Sequence, residues 1–174
     1  SILLPIKTPP IHFSASELSK KKKTHILILG VKSFKNEKKL TLNTLRDIFG
    51  VDPTKSEPCL YNQDWYLKER FASQTSLQNR WYLVKKSIVP STQGKIPPKN
   101  ARLPSAILLA YTFFAHWFVT GGSMLYKNEY IWCNDTDSNG DRVYVGRYID
   151  PKKINKNGFN IHRHLSITKQ FGCI

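Results

Sequence analysis

Four oxygen-bearing side chains alternate along one short stretch of the sequence: Asp135, Asp137, Asn139 and Asp141. Calcium loops begin with carboxylate and amide oxygens at alternate positions, and they need a glycine where the chain turns sharply. Gly140 stands at the matching position here. The spacing therefore predicts a loop that could hold Ca²⁺ through these oxygens.

The second half of this loop departs from the calcium pattern. The twelfth position, which carries a bidentate Glu in calcium loops, is Gly146, and the eighth, which is usually apolar, is Arg142. Residues 130–133 and 142–149 have the composition of strands, and Asn139-Gly140 between them is a strong hairpin signal. The sequence therefore favours a plain β-hairpin loop, with a Ca²⁺ site as the alternative.

The histidines lack the partners that a catalytic site needs. His162 and His164 alternate, so on a strand they lie on one side and Arg163 lies on the other. Two imidazoles could bind a metal, but the sequence assigns no third ligand, and surface-facing histidines are the simpler interpretation. The motif spacing yields neither a Ser/His/Asp set nor a Cys/His set. We expect a protein without a catalytic centre.

The chain carries a large positive charge. Its 27 Lys and Arg outnumber 12 Asp and Glu, which gives a formal net charge of +15 spread over both halves. Such a charge attracts polyanions, including nucleic acid, although a basic surface can also serve solubility alone. One hypothesis is therefore a nucleic-acid-binding protein or a nuclease that holds Mg²⁺ on Asp135, Asp137 and Asp141.

Hydrophobic periodicity predicts the elements that must position these residues. Residues 24–30 and 79–89 have the pattern of strands, and residues 40–49 and 103–120 have that of helices. The last of these is an apolar run that ends at Gly121-Gly122. It is shorter than the ~20 residues that cross a bilayer, so we expect a core helix and no transmembrane segment.

A length of 174 residues suits one domain. We expect residues 24–174 to form a single α+β domain, a small twisted antiparallel sheet packed with two helices, with residues 90–100 as a linker-like loop. Residues 1–23 contain several prolines and end in four lysines, Lys20 to Lys23. This composition predicts an extended, flexible basic arm.

Three cysteines, Cys59, Cys133 and Cys173, are too few for a disulfide framework. Cys133 and Cys173 fall on late strands and could form one bridge, but free thiols in a reducing compartment are the favoured interpretation. The sequence shows no signal peptide, because the apolar residues 1–6 are few, contain a proline and lack a preceding basic region. We therefore expect a cytoplasmic protein.

Short motifs in the last part of the chain occur in a recognisable order. They are Arg102-Leu-Pro-Ser105 opening the apolar helix, Trp132-Cys-Asn-Asp135, Arg142-Val-Tyr-Val-Gly146, and a closing strand at Gly158-Phe-Asn-Ile161 or Ser166-Ile-Thr-Lys169. In this order they resemble the formylglycine-generating-enzyme (sulfatase-modifying-factor) type of C-type-lectin-like fold over residues 102–174. The N-terminal half, with Gln63-Asp-Trp-Tyr66 and Arg80-Trp-Tyr-Leu83, is similar only to uncharacterised bacterial proteins.

The resemblance implies a non-catalytic module that binds a protein or glycan ligand. The catalytic cysteine pair and the iron-binding histidines of the enzymes in this family have no matching motif here. Bacterial lectin-like variable proteins, which are made by diversity-generating retroelements, present polar and aromatic residues from the final strands of the same scaffold. The residues of this chain that would form that binding face are Trp132, Asn134, Tyr144, Arg147, Asn160, His162 and His164.

Overall fold

The structure is a computed structural model that describes residues 7–35, 37–148 and 157–174. The helices in these ranges are α1 (Ala15–Lys21), α2 (Leu42–Phe49), α3 (Arg70–Ser73) and α4 (Ala106–Thr120), with a 3-10 turn at Pro90–Thr92. The strands are β1 (His25–Leu29), β2 (Trp81–Lys85), β3 (Tyr130–Thr136), β4 (Arg142–Tyr148), β5 (Gly158–His162) and β6 (Phe171–Gly172). This mixture confirms the predicted α+β class.

The strands of the described ranges divide into two sheets. The larger sheet has the order β5-β4-β3-β6, and β1 pairs with β2 in a separate antiparallel sheet. β3, β4 and β5 pair antiparallel, whereas β6 pairs with β3 in parallel. The prediction of one small antiparallel sheet is therefore wrong in two respects. Hydrophobic periodicity predicts a strand but carries no information about which distant strand it pairs with or in which direction.

The predicted hairpin is present as β3 and β4. Tyr130 lies opposite Gly146 and Thr136 lies opposite Arg142, with an irregular register between these pairs. Gly140 turns the chain with a φ of 87°, in the left-handed region that favours glycine. β3 runs to Thr136, three residues beyond its predicted end, because the ladder with β4 continues to that point.

α4 lies at the centre of the hydrophobic core. Ser105 caps its N-terminus by accepting a hydrogen bond from the Leu108 N–H, and Gly121, with a φ of 69°, ends it. All residues from Ala106 to Phe114 are buried. No helix in the described part of the chain combines the length and apolarity needed to cross a membrane.

α2 ends where the sequence predicts but begins two residues later, at Leu42. Thr41 caps it by accepting a hydrogen bond from the Thr44 N–H, and the Thr44 hydroxyl accepts one from the Thr41 N–H. Gly50 follows its last turn. Phe49 then stacks on Phe114 of α4 with the ring centroids 4.0 Å apart, which joins the two helices.

The larger sheet is covered on both faces. One face packs under α4, where the Phe113 and Phe159 rings lie 5.1 Å apart. The other face carries a second buried cluster of Trp132, Tyr144 and Phe171, against which Leu103 and other residues pack. A sheet covered in this way leaves few side chains of its central strands exposed to solvent.

A buried ion pair joins β4 to the loop after α2. Arg147 Nη2 donates a hydrogen bond to Glu57 Oε1 at 2.8 Å, and the exposed fractions of the two side chains are 1% and 29%. A buried cation without its carboxylate is costly, so the loop and the strand must fold together.

We expect Arg147→Met to lower the free energy of unfolding by about 3 kcal/mol, because the change leaves Glu57 without its partner in a partly buried position. Lys55→Met is the control, since Lys55 pairs with Asp52 at 3.7 Å while its side chain is 83% exposed. The control should change stability by less than about 1 kcal/mol in urea unfolding. Equal effects of the two substitutions would contradict this assignment.

The N-terminal arm is not extended throughout. Residues 15–21 form α1, which begins at Ser14 and carries a Glu17–Lys21 ion pair of 2.7 Å. The Ser14 cap and this i,i+4 pair stabilise the helix. The sequence prediction missed it because the four consecutive lysines suggested a solvated arm. Before α1, the Pro9 carbonyl accepts a hydrogen bond from Trp81 Nε1 at 2.9 Å. The arm therefore contacts β2.

The three cysteines are free thiols. Cys133 belongs to the core beneath α4, whereas Cys173 packs against the aromatic cluster on the other face of the sheet. The sheet separates the two sulfurs, so the bridge that was one alternative from the sequence does not form.

Candidate functional site

Asp137 uses its carboxylate to brace the β3–β4 loop. Its Oδ1 accepts hydrogen bonds from the backbone N–H groups of Asn139 at 2.9 Å and Asp141 at 2.8 Å. Its Oδ2 forms an ion pair with the guanidinium of Arg163. The side chain of Asp137 is fully buried by these contacts.

The structure brings only part of the predicted metal set together. One ligand atom each of Asp137, Asp141 and His164 lies within 4.8 Å of the others, and His164 Nε2 is 2.6 Å from Asp141 Oδ2. Asp135 points elsewhere, because its Oδ2 accepts a hydrogen bond from the Ala106 N–H at the start of α4. Asn139 is exposed and contacts Asp137 through its backbone.

The contacts of Asp137 favour a structural role for this cluster over a metal site. Arg163 supplies the positive charge that a cation would bring, and both oxygens of Asp137 already accept hydrogen bonds. Burial alone would raise the pKa of Asp137, but hydrogen bonds from Arg163 and from two backbone N–H groups bring it below its ordinary value. Asp137, Asp141 and His164 lie close enough to hold a cation, but Arg163 occupies the Asp137 oxygen that would face it.

We expect Asp137→Asn to lower the free energy of unfolding by about 2 kcal/mol at pH 7, because it removes a charge-assisted set of hydrogen bonds. The lowered pKa means that Asp137 stabilises the fold above its unfolded pKa of about 4, and that this contribution is lost as the pH falls through the folded value. The difference from the wild type should therefore shrink in acid. Asn139→Ser, which keeps the backbone N–H, is the control, and urea unfolding measures the stability of both variants. An Asp137→Asn protein as stable as the wild type at pH 7 would contradict the assignment.

Most of the predicted binding-face residues lie inside the protein. Trp132, Tyr144, Arg147 and Asn160 are buried, His162 is half-buried, and Asn134 and His164 are exposed. The covering segments bond directly to two of them. Trp132 Nε1 donates to the Lys95 carbonyl at 3.1 Å, and the Tyr144 hydroxyl accepts from the Leu165 N–H at 2.6 Å.

His162 points toward Gln63 rather than into solvent. Its Nε2 lies 2.8 Å from Gln63 Nε2, and its ring stacks near that of Tyr144 with centroids 6.3 Å apart. Burial lowers the pKa of His162, so the neutral ring is favoured. His162 and His164 therefore serve different contacts and do not form a pair.

A groove between α1 and the β1–β2 sheet has a different character. It has a volume of about 470 Å³. Its lining residues are Leu18, Ser19, Lys21, Lys22, His25, Leu27 and Leu83, and we call this site the basic groove. Cavities of roughly 300–1,000 Å³ are typical of small-molecule sites.

Strand alternation explains why these side chains share one face. His25 and Leu27 are two residues apart on β1, and their partners across the ladder are Lys85 and Leu83. Leu27 and Leu83 belong to neither hydrophobic cluster of the fold. They form the apolar floor of the basic groove.

The opposite wall of the basic groove is loosely packed. α1 has no buried residue, and Leu18 on this helix faces the groove. A helix normally buries an apolar stripe against the protein, so the half-exposed Leu18 leaves apolar surface in contact with water. A ligand that filled the groove would cover Leu18, Leu27 and Leu83 together.

Positive charges surround His25 in the basic groove. Burial lowers the pKa of His25, and the nearby charges of Lys21 and Lys85 lower it further, against the opposing effect of Glu17. Its Nδ1 lies 2.8 Å from the Thr24 hydroxyl. His25 lies opposite Lys85 across the β1–β2 ladder, so this end of the groove is positively charged.

A second cavity of about 240 Å³ adjoins the basic groove. It shares His25 and Leu83 with the groove. Its other lining residues are Val84, Lys85, Pro104, Leu108 and Ile174. The sequence predicts Lys20 to Lys23 as part of a flexible arm and gives no sign of this site. The pairing of β1 with β2, which sets His25 opposite Lys85, is the feature that brings its residues together.

Comparison with protein-family models, with curated proteins and with solved structures finds no match to this chain. The resemblance of residues 102–174 to the C-type-lectin-like fold therefore stays a prediction. Function must be inferred from the geometry of the site alone.

Proposed function

We propose that this chain is a non-catalytic binding module that holds an anionic ligand in the basic groove. The observation that carries the proposal is the convergence of Lys21, Lys22 and His25 on an open groove with an apolar floor. Glu17 already pairs with Lys21 at 2.7 Å, so within the described residues Lys22, His25 and Lys85 are the groups left to meet an anion. The pKa of His25 is lowered first by burial and then by the nearby charges of Lys21 and Lys85.

This proposal keeps the binding function expected from the sequence but moves its site. Four of the residues proposed for the C-terminal binding face are buried, so they could contact a protein or glycan only after the covering segments move. The basic groove needs no such rearrangement. It also uses part of the +15 charge, which the C-terminal face did not explain.

Replacing both Lys22 and Lys85 with Gln should weaken the binding of pyrophosphate on the order of tenfold or more, because each of these lysines beside His25 can donate one charge-assisted hydrogen bond. Isothermal titration at low salt measures the dissociation constant. The control is the double change Lys55→Gln and Lys99→Gln, which removes the same charge from exposed positions outside the groove. A control variant that loses as much affinity would show a generic polyanion effect and contradict the proposal.

Anion binding should take up a proton at His25. The pKa of free His25 is lowered by burial and by neighbouring lysines, and a bound anion would raise it. Affinity for pyrophosphate should therefore rise as the pH falls from 8 to 6, after correction for protonation of the ligand itself. The His25→Gln variant should lose this dependence, whereas His12→Gln, at an exposed position, should retain it. An unchanged pH profile in His25→Gln would contradict the assignment.

Nucleic acid is a second candidate for the anionic partner, favoured by the net charge of +15. A nucleic-acid-binding protein should retard single-stranded DNA or RNA with a steep dependence on salt, and the complex should survive a competitor polyanion. Loss of the complex when a competitor polyanion is added would count against this candidate. The nuclease form of the hypothesis has less support, because Arg163 already neutralises Asp137.

A further inference from the structure

The basic groove and its neighbouring cavity lie side by side, and we call the two together the track. His25 and Leu83 line both cavities, so they mark the place where the two adjoin. Lys21 and Lys22 line the basic groove but not the second cavity. The second cavity is lined by Pro104, Leu108 and Ile174 together with Lys85 and Val84.

The chemistry of the track changes along its length. Its first part offers the ammonium group of Lys22, that of Lys21 in its pair with Glu17, and the imidazole of His25. These groups lie over the floor of Leu27 and Leu83. Its second part offers mostly apolar side chains, with Lys85 beside them. A compact anion would satisfy the cations but would leave the apolar lining in contact with water.

We infer that the track binds a free anionic amphiphile: an unbranched alkyl chain that ends in a phosphate or carboxylate. This inference rests on the proposed function and names its ligand class. The head group lies beside Lys21, Lys22 and His25, and the chain passes over Leu83 toward Leu108. Each methylene group that is fully removed from water strengthens binding about fourfold, so the chain adds selectivity over simple anions.

The first experiment compares three probes on the full-length protein: n-octyl phosphate, inorganic phosphate and n-octyl glucoside, each below any micellar concentration. Titration calorimetry supplies the dissociation constants, and NMR follows the His25 ring and the Leu27 and Leu83 methyl groups. We expect n-octyl phosphate to bind more than tenfold tighter than either of the other probes. The named groups should shift with it.

Three results would overturn the inference in distinguishable ways. Equal affinity for n-octyl phosphate and inorganic phosphate, with shifts at His25, would refute the amphiphile and leave anion binding in the groove intact. No shift at His25, Leu27 or Leu83 with any phosphate probe would refute the proposed function as well. Tight binding of n-octyl glucoside would show an apolar site without anion selectivity, which also contradicts the inference.

Substitutions distinguish the contribution of the alkyl chain to binding from the contribution of the head group. Leu83→Thr keeps a residue suited to a strand and should weaken n-octyl phosphate binding about fivefold, more than it weakens the binding of inorganic phosphate. Leu27→Thr is the second variant should the first fail to fold. Ile96→Thr is the matched control, because Ile96 is 68% exposed and lies outside both cavities. Equal losses in Leu83→Thr and Ile96→Thr would refute the track.

A final arm distinguishes a free amphiphile from a membrane. Vesicles of phosphatidylcholine with one third phosphatidylglycerol should compete poorly with n-octyl phosphate, because the chain must leave the bilayer to enter the track. An acidic peptide without an alkyl chain should also compete poorly. Competition by either probe at comparable concentration, lost in Leu83→Thr, would reassign the track to that partner and overturn the inference.

Discussion

The covering of the larger sheet on both faces is the constraint on which the rest of this structure depends. β4 lies between β3 and β5, beneath α4 on one side and beneath an aromatic cluster on the other. Arg147 is fully buried in this strand, where it forms an ion pair with Glu57 from a distant loop. A central strand enclosed in this way belongs to the core. The β1–β2 sheet and α1 are less completely packed and enclose the groove in which we propose that a ligand binds.

Local features were predictable because they depend on neighbours in the sequence. The apolar run with Ser105 before it and Gly121 after it contains the whole of α4, and Asn139-Gly140 marks the β3–β4 turn. The unpredicted features are contacts between distant residues. The pairing of His25 with Lys85, the meeting of Arg147 with Glu57 and the parallel return of β6 all depend on register across 40 residues or more, which no local pattern encodes. The binding face was misplaced for the same reason, since alternation shows which residues share a face but does not show what covers it.

The Asp-rich loop illustrates how one pattern of oxygens can serve two purposes. Short acidic side chains at alternate positions suit a cation, but they equally suit backbone N–H groups in a tight turn. In this chain the second use is observed: Asp137 binds the N–H groups of Asn139 and Asp141, and Asp135 binds that of Ala106. Arg163 then completes the charge balance. The missing Glu at position 146 was the sequence feature that favoured this outcome.

The central claim is that ligand recognition belongs to the basic groove and not to the C-terminal strands. A map of backbone and methyl chemical-shift changes over the whole chain during titration with pyrophosphate tests it most directly, since no residue needs to be chosen in advance. We predict that the largest changes fall at Lys22, His25, Leu27 and Leu83. If the largest chemical-shift changes fall in β3, β4 and β5 and the groove residues do not shift, the claim is contradicted and the C-terminal face is the better candidate.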